Sequence, residues 1–180
     1  MPRLASLAAR LATLAAAALA LGACGGTVDF SVDKNLEIDS TISAGSSTGS
    51  YDLAASAGSA WKQRKHISSV TIQSATATVT VVKPANTATT LSGSVWLLPE
   101  GATSPSDAGA LKVGDWTNEA VAVGTVIDLP PSDALNGFIR DLFNGSGKFS
   151  IYAIGSNTGG NRVAVTLHVV LDAKLKWKVP

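Results

Sequence analysis

The chain has 180 residues, of which 46% are hydrophobic and 15% charged, and its 14 basic residues nearly balance 13 acidic ones. This near-neutrality argues against the basic surface that nucleic-acid binding requires, so no nucleic-acid partner is expected. The length corresponds to one domain that can bury a hydrophobic core of its own.

The first 23 residues have the pattern of a secretory signal peptide. Arg3 and Arg10 precede an apolar run at residues 11–21, interrupted only by Thr13, and two small residues follow it. A basic segment, an apolar stretch of about 7–15 residues and a small-residue cleavage site make up such a peptide. The run is shorter than the roughly 20 residues that cross a bilayer, which disfavours a transmembrane helix. A helix of the folded domain at residues 4–21 is also disfavoured, because the apolar residues do not form one stripe.

Cys24 is the only cysteine, so it cannot form a disulfide within the chain. An odd cysteine in an exported protein indicates an intermolecular bond, a reactive thiol or a modified residue. The cysteine count alone leaves these alternatives open.

The stretch Leu21-Gly22-Ala23-Cys24 resembles the lipobox of bacterial lipoproteins, in which Leu, two small residues and Cys follow in that order. The resemblance implies that the Cys24 thiol carries a diacylglycerol. It also implies that cleavage falls before Cys24 and that the new N-terminus can carry a further fatty acid such as palmitate. Gly25 in place of Asp favours the outer membrane, by resemblance to the sorting of enteric lipoproteins. Residues 24–26 would then be the lipidated cysteine and a short tether.

The chain that remains from residue 24 has 12 basic and 13 acidic residues, and a single domain is predicted at residues 27–180. Residues 27–42 alternate, with apolar residues at even positions, which predicts one half-buried strand, or two with a turn at residues 33–35. The opposite face carries Asp29, Asp33, Glu37 and Asp39. These carboxylates could hold calcium through their oxygens, but a solvated strand face is the favoured interpretation. The Ser/Gly-rich residues 43–50 predict a flexible connector.

The middle of the chain predicts further strands. In residues 67–82 the apolar positions change from even to odd, which indicates a bulge near Ser74 or a strand that passes between two sheets. A turn at residues 84–90 and a return strand at 91–98 follow, and then a loop at 99–110. Two more strands are predicted at 111–116 and 120–129, with a turn between them at residues 116–119.

One short amphipathic helix interrupts the strands. Ser132 or Asp133 can cap its start, and apolar residues at 135, 138, 139 and 142 follow the spacing of one helical face before Asn144-Gly145 ends it. A strand at 149–154, a turn at 157–161 and an alternating strand at 163–179, bent near residues 172–173, complete the chain. The sequence thus predicts an all-β fold, mainly an antiparallel β-sandwich of seven to nine strands, with one helix.

No motif in the chain carries a clear catalytic or metal-binding signature. Residues 45–49 match G-x-S-x-G around Ser47, but a nucleophile elbow needs a strand before the serine and a helix after it. Residues 145–148 lack the spacing of a phosphate-binding loop. His66 and His168 are the only histidines, too few for a dedicated zinc site. We therefore expect no enzyme activity, no cofactor and no metal.

Two segments combine tryptophan with clustered positive charge. They consist of Trp61 with Lys62, Arg64 and Lys65, and of Trp177 with Lys174, Lys176 and Lys178. Such clusters favour contact with anionic lipid headgroups or lipopolysaccharide. The favoured alternative is an edge strand whose lysines prevent pairing with another chain and whose tryptophan is buried.

The sequence predicts an exported, lipid-anchored protein of the bacterial cell envelope. Its β-sandwich would be a non-catalytic binding or structural domain with a protein or glycan partner. The alternative is a carrier or sensor of a hydrophobic ligand such as a lipid, in which the helix and the last strand would enclose an apolar cavity.

Overall fold

The computed structural model describes residues 25–40, 44–157 and 159–178. It contains eight strands in these ranges, arranged as two four-stranded antiparallel sheets. The strands of sheet A, in spatial order, are β1 (Gly26–Ser40), β8 (Val163–Trp177), β3 (Ile67–Val82) and β6 (Val126–Asp128). Those of sheet B are β2 (Gly45–Asp52), β7 (Lys148–Ser156), β4 (Thr90–Pro99) and β5 (Leu111–Ala120). The predicted antiparallel β-sandwich is confirmed. The predicted lipidation site, Cys24, lies outside the described residues.

The first predicted strand is one strand, not two. All fifteen residues of β1 pair with β8 in an unbroken register, from Gly26 opposite Trp177 to Ser40 opposite Val163. No turn forms at residues 33–35, since the alternation of buried and exposed residues continues through them. The even-numbered apolar side chains therefore enter the core along one face.

The predicted irregularity in the second β-rich segment is confirmed as a bulge. On β3, Ile72 lies opposite Ala173 and Ser74 opposite Asp172, so Gln73 is an extra residue in the ladder. The extra residue moves the apolar set from even to odd positions and keeps it on the core face. The irregularity belongs to β3, because β8 shows no register shift against β1.

The prediction of a flexible connector at residues 43–50 is wrong for the part that the structure describes. Residues 45–52 form β2, which pairs along its length with β7. The glycines have a packing role here: the side chains of Lys34 and Leu36 from β1 occupy the space that a Cβ on Gly49 would need. Small residues thus let the two sheets approach each other at this edge.

Two other strand assignments are also corrected. The segment at 91–98 is not a return strand beside β3, because β4 belongs to sheet B. The predicted turn at residues 116–119 lies within β5, where Asn118 has a positive φ of 56° and the ladder to β4 gains one residue. Asparagine is favoured at positions with positive φ both in bulges and in turns, so the sequence alone does not distinguish the two.

Helical segments lie between the sheets and at their rim. The predicted helix is α3 (Asp133–Asn144), whose first turn is capped by the Ser132 hydroxyl accepting a hydrogen bond from the Leu135 amide at 3.1 Å. The short helices α1 (Leu53–Ser56) and α2 (Gly58–Lys62), and a 3-10 turn at Arg64–His66, link β2 to β3 and were not predicted. Within the described ranges no helix has the length and apolar composition to cross a bilayer.

The core fills the space between the two sheets. Leu36, Leu97, Ile151 and Leu167 are at most 1% exposed, and α3 adds Ile139 from the side. The described strands, helices and core side chains all lie within residues 26–177. A fragment that begins at Gly25 therefore retains the whole described core.

Candidate functional site

The two basic segments of the sequence meet at one end of the sandwich. The carbonyl of His66 accepts a hydrogen bond from the Lys178 amide at 3.0 Å, and Ile67 pairs with Trp177. Gly26 pairs with Trp177 from the other side, so the chain that leads back to Cys24 starts at this end as well. We call the cations Lys62, Arg64, Lys65, Lys176 and Lys178 the basic end.

The two tryptophans at this end are packing residues. Trp61 lies beside Phe143 of α3, with ring centroids 6.0 Å apart, and a Cβ on Gly147 would overlap its ring. Trp177 covers Gly26 in the same way. Both side chains are half-buried. The expectation of a buried tryptophan is thus partly met, but β8 is no edge strand, because β1 and β3 flank it.

The cations of the basic end differ from most others in the protein. None of the five forms an ion pair with any residue that the structure describes, although the Arg64 guanidinium lies 4.7 Å from the Trp61 ring centre. Lys174, by contrast, pairs with Asp29 at 3.7 Å. Lys83, Lys112 and Lys148 also have carboxylate partners. Among the described residues, the positive charge beside the start of β1 is therefore not compensated by ion pairs.

The carboxylates on the outer face of β1 have basic side chains as partners. Asp29 pairs with Lys174, Glu37 with Lys83 and Asp39 with Arg162, and the Asp33 carboxylate lies 3.4 Å from the His168 imidazole. Two hydrogen bonds of 2.9 Å join the Arg162 guanidinium to Asp39, which lowers the pKa of that carboxyl and raises the pKa of the guanidinium. No group of three or more metal-binding side chains occurs in the described part of the chain, so nothing there favours the calcium alternative.

The outer face of sheet B carries a surface that sequence reasoning missed. Trp96 on β4 lies directly opposite Tyr152 on β7, and Ile154 is two residues along the same face. Their neighbours Val95, Leu97, Ile151 and Ala153 are fully buried on the other face, so these three half-buried side chains point away from the core. We call them the aromatic face. Period-two alternation in the sequence around Trp96 and Tyr152 indicates that each lies on the outer face of a strand. It does not indicate that β4 pairs with β7.

Hydroxyl groups and one ion pair surround the aromatic face. Thr48 and Ser46 on β2 flank Tyr152 and Ile154, and Ser94 accepts a hydrogen bond from the Trp96 indole at 2.9 Å. On the far side, the Lys112 ammonium is 6.0 Å from the Trp96 ring centre and 2.6 Å from the Asp115 carboxylate. The surface is thus aromatic at its centre, polar at its border and without net charge.

A depression lies beside the aromatic face, toward the loop after β4. It has a volume of about 340 Å³ and is lined by charged and hydroxyl groups and by two aromatic residues: Ser50, Tyr51, Asp52, Glu100, Gly101, Lys148, Phe149 and Ser150. Ser50 and Ser150 lie opposite each other, two residues along β2 and β7 from the Thr48–Tyr152 pair. The depression is therefore next to the aromatic face on sheet B.

The other residues considered for catalysis do not come together. Ser47 lies on β2 in sheet B, His66 at the basic end, and His168 on the outer face of sheet A beside Asp33. The surroundings of Ser47 also differ from the prediction, since it belongs to a strand. The depression described above is open to the surface and is lined by charged and hydroxyl side chains together with Tyr51 and Phe149.

Comparisons with known proteins give structural similarity only. No protein-family model and no curated protein matches the sequence. A structure titled Desmodium yellow mottle tymovirus is 9% identical with a TM-score of 0.34, and covers 86% of this chain and 90% of its own. Turnip yellow mosaic virus is 10% identical with a TM-score of 0.35, over 86% and 96%. The decameric BFDV capsid protein is 9% identical with a TM-score of 0.34, over 84% and 97%.

Proposed function

We propose that this protein is a lipid-anchored component of the bacterial cell envelope whose β-sandwich is a non-catalytic domain that binds a glycan. The observation that carries the binding function is the juxtaposition of Trp96 and Tyr152 on the outer face of sheet B, beside a depression of about 340 Å³. Ligand sites typically combine apolar and aromatic surface with a few placed polar groups.

The chemistry of the aromatic face favours a glycan over a protein. A sugar ring has apolar C–H faces and a rim of hydroxyl groups, which match an aromatic centre bordered by Ser46, Thr48 and Ser94. Beside the aromatic rings, the ion pair of Lys112 with Asp115 adds no net charge and so suits an uncharged ligand, whereas the charged side chains Asp52, Glu100 and Lys148 lie in the adjoining depression. The paired strands β4 and β7 hold the two aromatic residues next to each other, which limits the entropy lost on binding.

The anchor is supported by the contact of Gly25 with sheet A. Gly25 lies against the Trp177 backbone, whose carbonyl would overlap a Cβ at position 25. Cys24 is therefore one residue, at most about 3.8 Å between Cα atoms, from a position that sheet A fixes. An acylated Cys24 would hold the sandwich directly at the bilayer surface.

A pull-down tests the glycan site. The fragment 25–180 is incubated with purified peptidoglycan sacculi and with the polysaccharide fraction of the envelope, and the bound fraction is measured after washing. We expect retention on one of these glycans that Trp96→Ala and Tyr152→Ala each reduce at least about tenfold, as for interface hot spots. Val81→Ala, on the outer face of sheet A and 47% exposed, is the matched control and should bind like the wild type.

Two outcomes would contradict the glycan site. One is equal retention of the wild type and both aromatic variants, with all three folded by circular dichroism. The other is failure to bind any glycan while a protein from the envelope extract is retained. The anchor is tested separately by intact-mass analysis of protein from the native host, where an unmodified Cys24 thiol would refute it.

A further inference from the structure

We propose that the basic end binds anionic phospholipid headgroups, so that the sandwich stands end-on on the bilayer. This inference rests on the proposed function, since the lipid anchor at Cys24 would bring the basic end to the membrane. Headgroup binding would also give the domain a defined orientation, in which the strands of sheet A extend outward from the bilayer surface. At roughly 3.3 Å per residue, the fifteen residues of β1 would extend about 50 Å.

Charge complementarity is the first argument. The basic end has five cations without an ion-pair partner among the described residues. Lys62, Lys65, Lys176 and Lys178 are exposed, so their ammonium groups are open to anionic headgroups. Elsewhere on sheet A, three of the four acidic side chains of β1, Asp29, Glu37 and Asp39, are paired with lysine or arginine, so they oppose the attraction less.

The position of the tether is the second argument. The chain outside the described structure joins at Gly25, in contact with Trp177, and the next residue toward the N-terminus is the proposed anchor. The distance spanned by one residue, at most about 3.8 Å, is shorter than the screening length of about 8 Å at physiological ionic strength. An acylated Cys24 would thus bring Gly25, and with it the backbone of Trp177 and Lys178 that it contacts, within the range of the headgroup field.

The packing of the tryptophans defines the kind of contact. Trp61 contacts Phe143 and Trp177 covers Gly26, so moving either ring into a bilayer would uncover core or sheet residues. The interaction is therefore electrostatic, through lysine and arginine side chains, with no inserted aromatic ring. Electrostatic binding of this kind is weakened by salt, whereas insertion of an apolar side chain is not.

Vesicle co-sedimentation of the unlipidated fragment 25–180 tests the inference without the anchor. The vesicles consist of phosphatidylcholine with phosphatidylglycerol, or of phosphatidylcholine alone, at low and high salt. We expect salt-sensitive binding to the first kind only. The triple variant Lys62→Gln, Lys65→Gln, Lys178→Gln should bind about 100-fold more weakly, since each charge near an anionic surface contributes about fivefold.

The matched control removes the same number of charges elsewhere. Lys83→Gln, Lys112→Gln and Lys148→Gln together remove three cations that have carboxylate partners. This variant should bind within a few-fold of the wild type, and both variants should keep the thermal transition of the wild type.

Three results would overturn the inference: equal weakening by both triple variants, equal binding to neutral vesicles, or binding to soluble polyphosphate but not to vesicles. None of these results depends on whether Cys24 is lipidated, which intact-mass analysis measures separately. A negative vesicle result would therefore not contradict the lipid anchor, and an unmodified Cys24 would not change the vesicle result.

Discussion

The indole of Trp116 lies against Gly93, its cross-strand partner on β4, and fills the space that a side chain at position 93 would occupy. The carbonyl oxygen of Ile154 on β7 is closer still to the site of a Cβ. Trp116 is 6% exposed and belongs to the core. The absence of a side chain at one position thus places a large aromatic ring between the sheets.

Gly93→Ala should destabilise the protein by about 1–3 kcal/mol, the usual cost of inserting a methyl group into a filled core. The Ile154 carbonyl is backbone and cannot move aside without disturbing the ladder to β7. The free energy of unfolding, measured by urea denaturation, checks this. An alanine variant as stable as the wild type would show that β4 and β7 are less tightly fixed than described.

Gly137→Ala should have the opposite effect and stabilise the protein by about 0.5–1 kcal/mol. Gly137 lies within α3, and no atom is within 4 Å of the position that its Cβ would take. The gain comes from the smaller conformational entropy of the unfolded chain. The same urea titration measures it, and a loss of stability would indicate a contact that the structure does not show.

Ser132→Ala should cost about 1 kcal/mol, because the Leu135 amide would lose the hydroxyl that caps the helix. Ser132→Asp keeps an acceptor at the cap and should retain most of the stability. Thermal unfolding of the three proteins provides the comparison. If alanine and aspartate were equally destabilising, the cap would not explain the effect.

The loop after β4 should loosen at low pH through Asp107. The amides of Thr103 and Ser104 donate hydrogen bonds of 2.7 and 3.0 Å to its carboxylate, and these bonds lower its pKa. A carboxyl whose pKa is lowered on folding stabilises the structure above its unfolded pKa, about 3.9, and that contribution is lost as pH falls through the lower, folded value.

Amide NMR shifts of Thr103 and Ser104, followed as a function of pH, measure this transition. We expect both to change together below about pH 3.9, and Asp107→Asn to abolish the change. A transition at the ordinary aspartate value, or one that persists in the asparagine variant, would contradict the assignment.

Local patterns were sufficient to predict much of the fold. The alternation in β1 and β8, the phase change in β3 and the capped helix each depend on neighbouring residues, so they can be read from the chain. The strand β2 could not be predicted from the sequence, because its Ser/Gly-rich residues show no apolar alternation. They form a strand only by pairing with β7. The crossing of β4 into sheet B depends equally on distant partners.

The two candidate surfaces escaped prediction for the same reason. Trp96 and Tyr152 become neighbours only through the pairing of β4 with β7, which no local pattern encodes. Each basic segment was recognised in the sequence, but their meeting beside Gly25 follows from the pairing of β8 with both β1 and β3. Composition identifies such residues, whereas sheet order brings them together.

The central position of β8 in sheet A determines when the protein can fold. This strand lies between β1 and β3, which form no ladder with each other, so a nascent chain that ends before Val163 has two long strands whose edges toward β8 are unpaired. Such edges are sites of aggregation, and pairing of the first strand with the last slows folding. Sheet A can therefore be completed only when the C-terminal residues are available, and truncation of the last strand would leave only its short β3–β6 ladder.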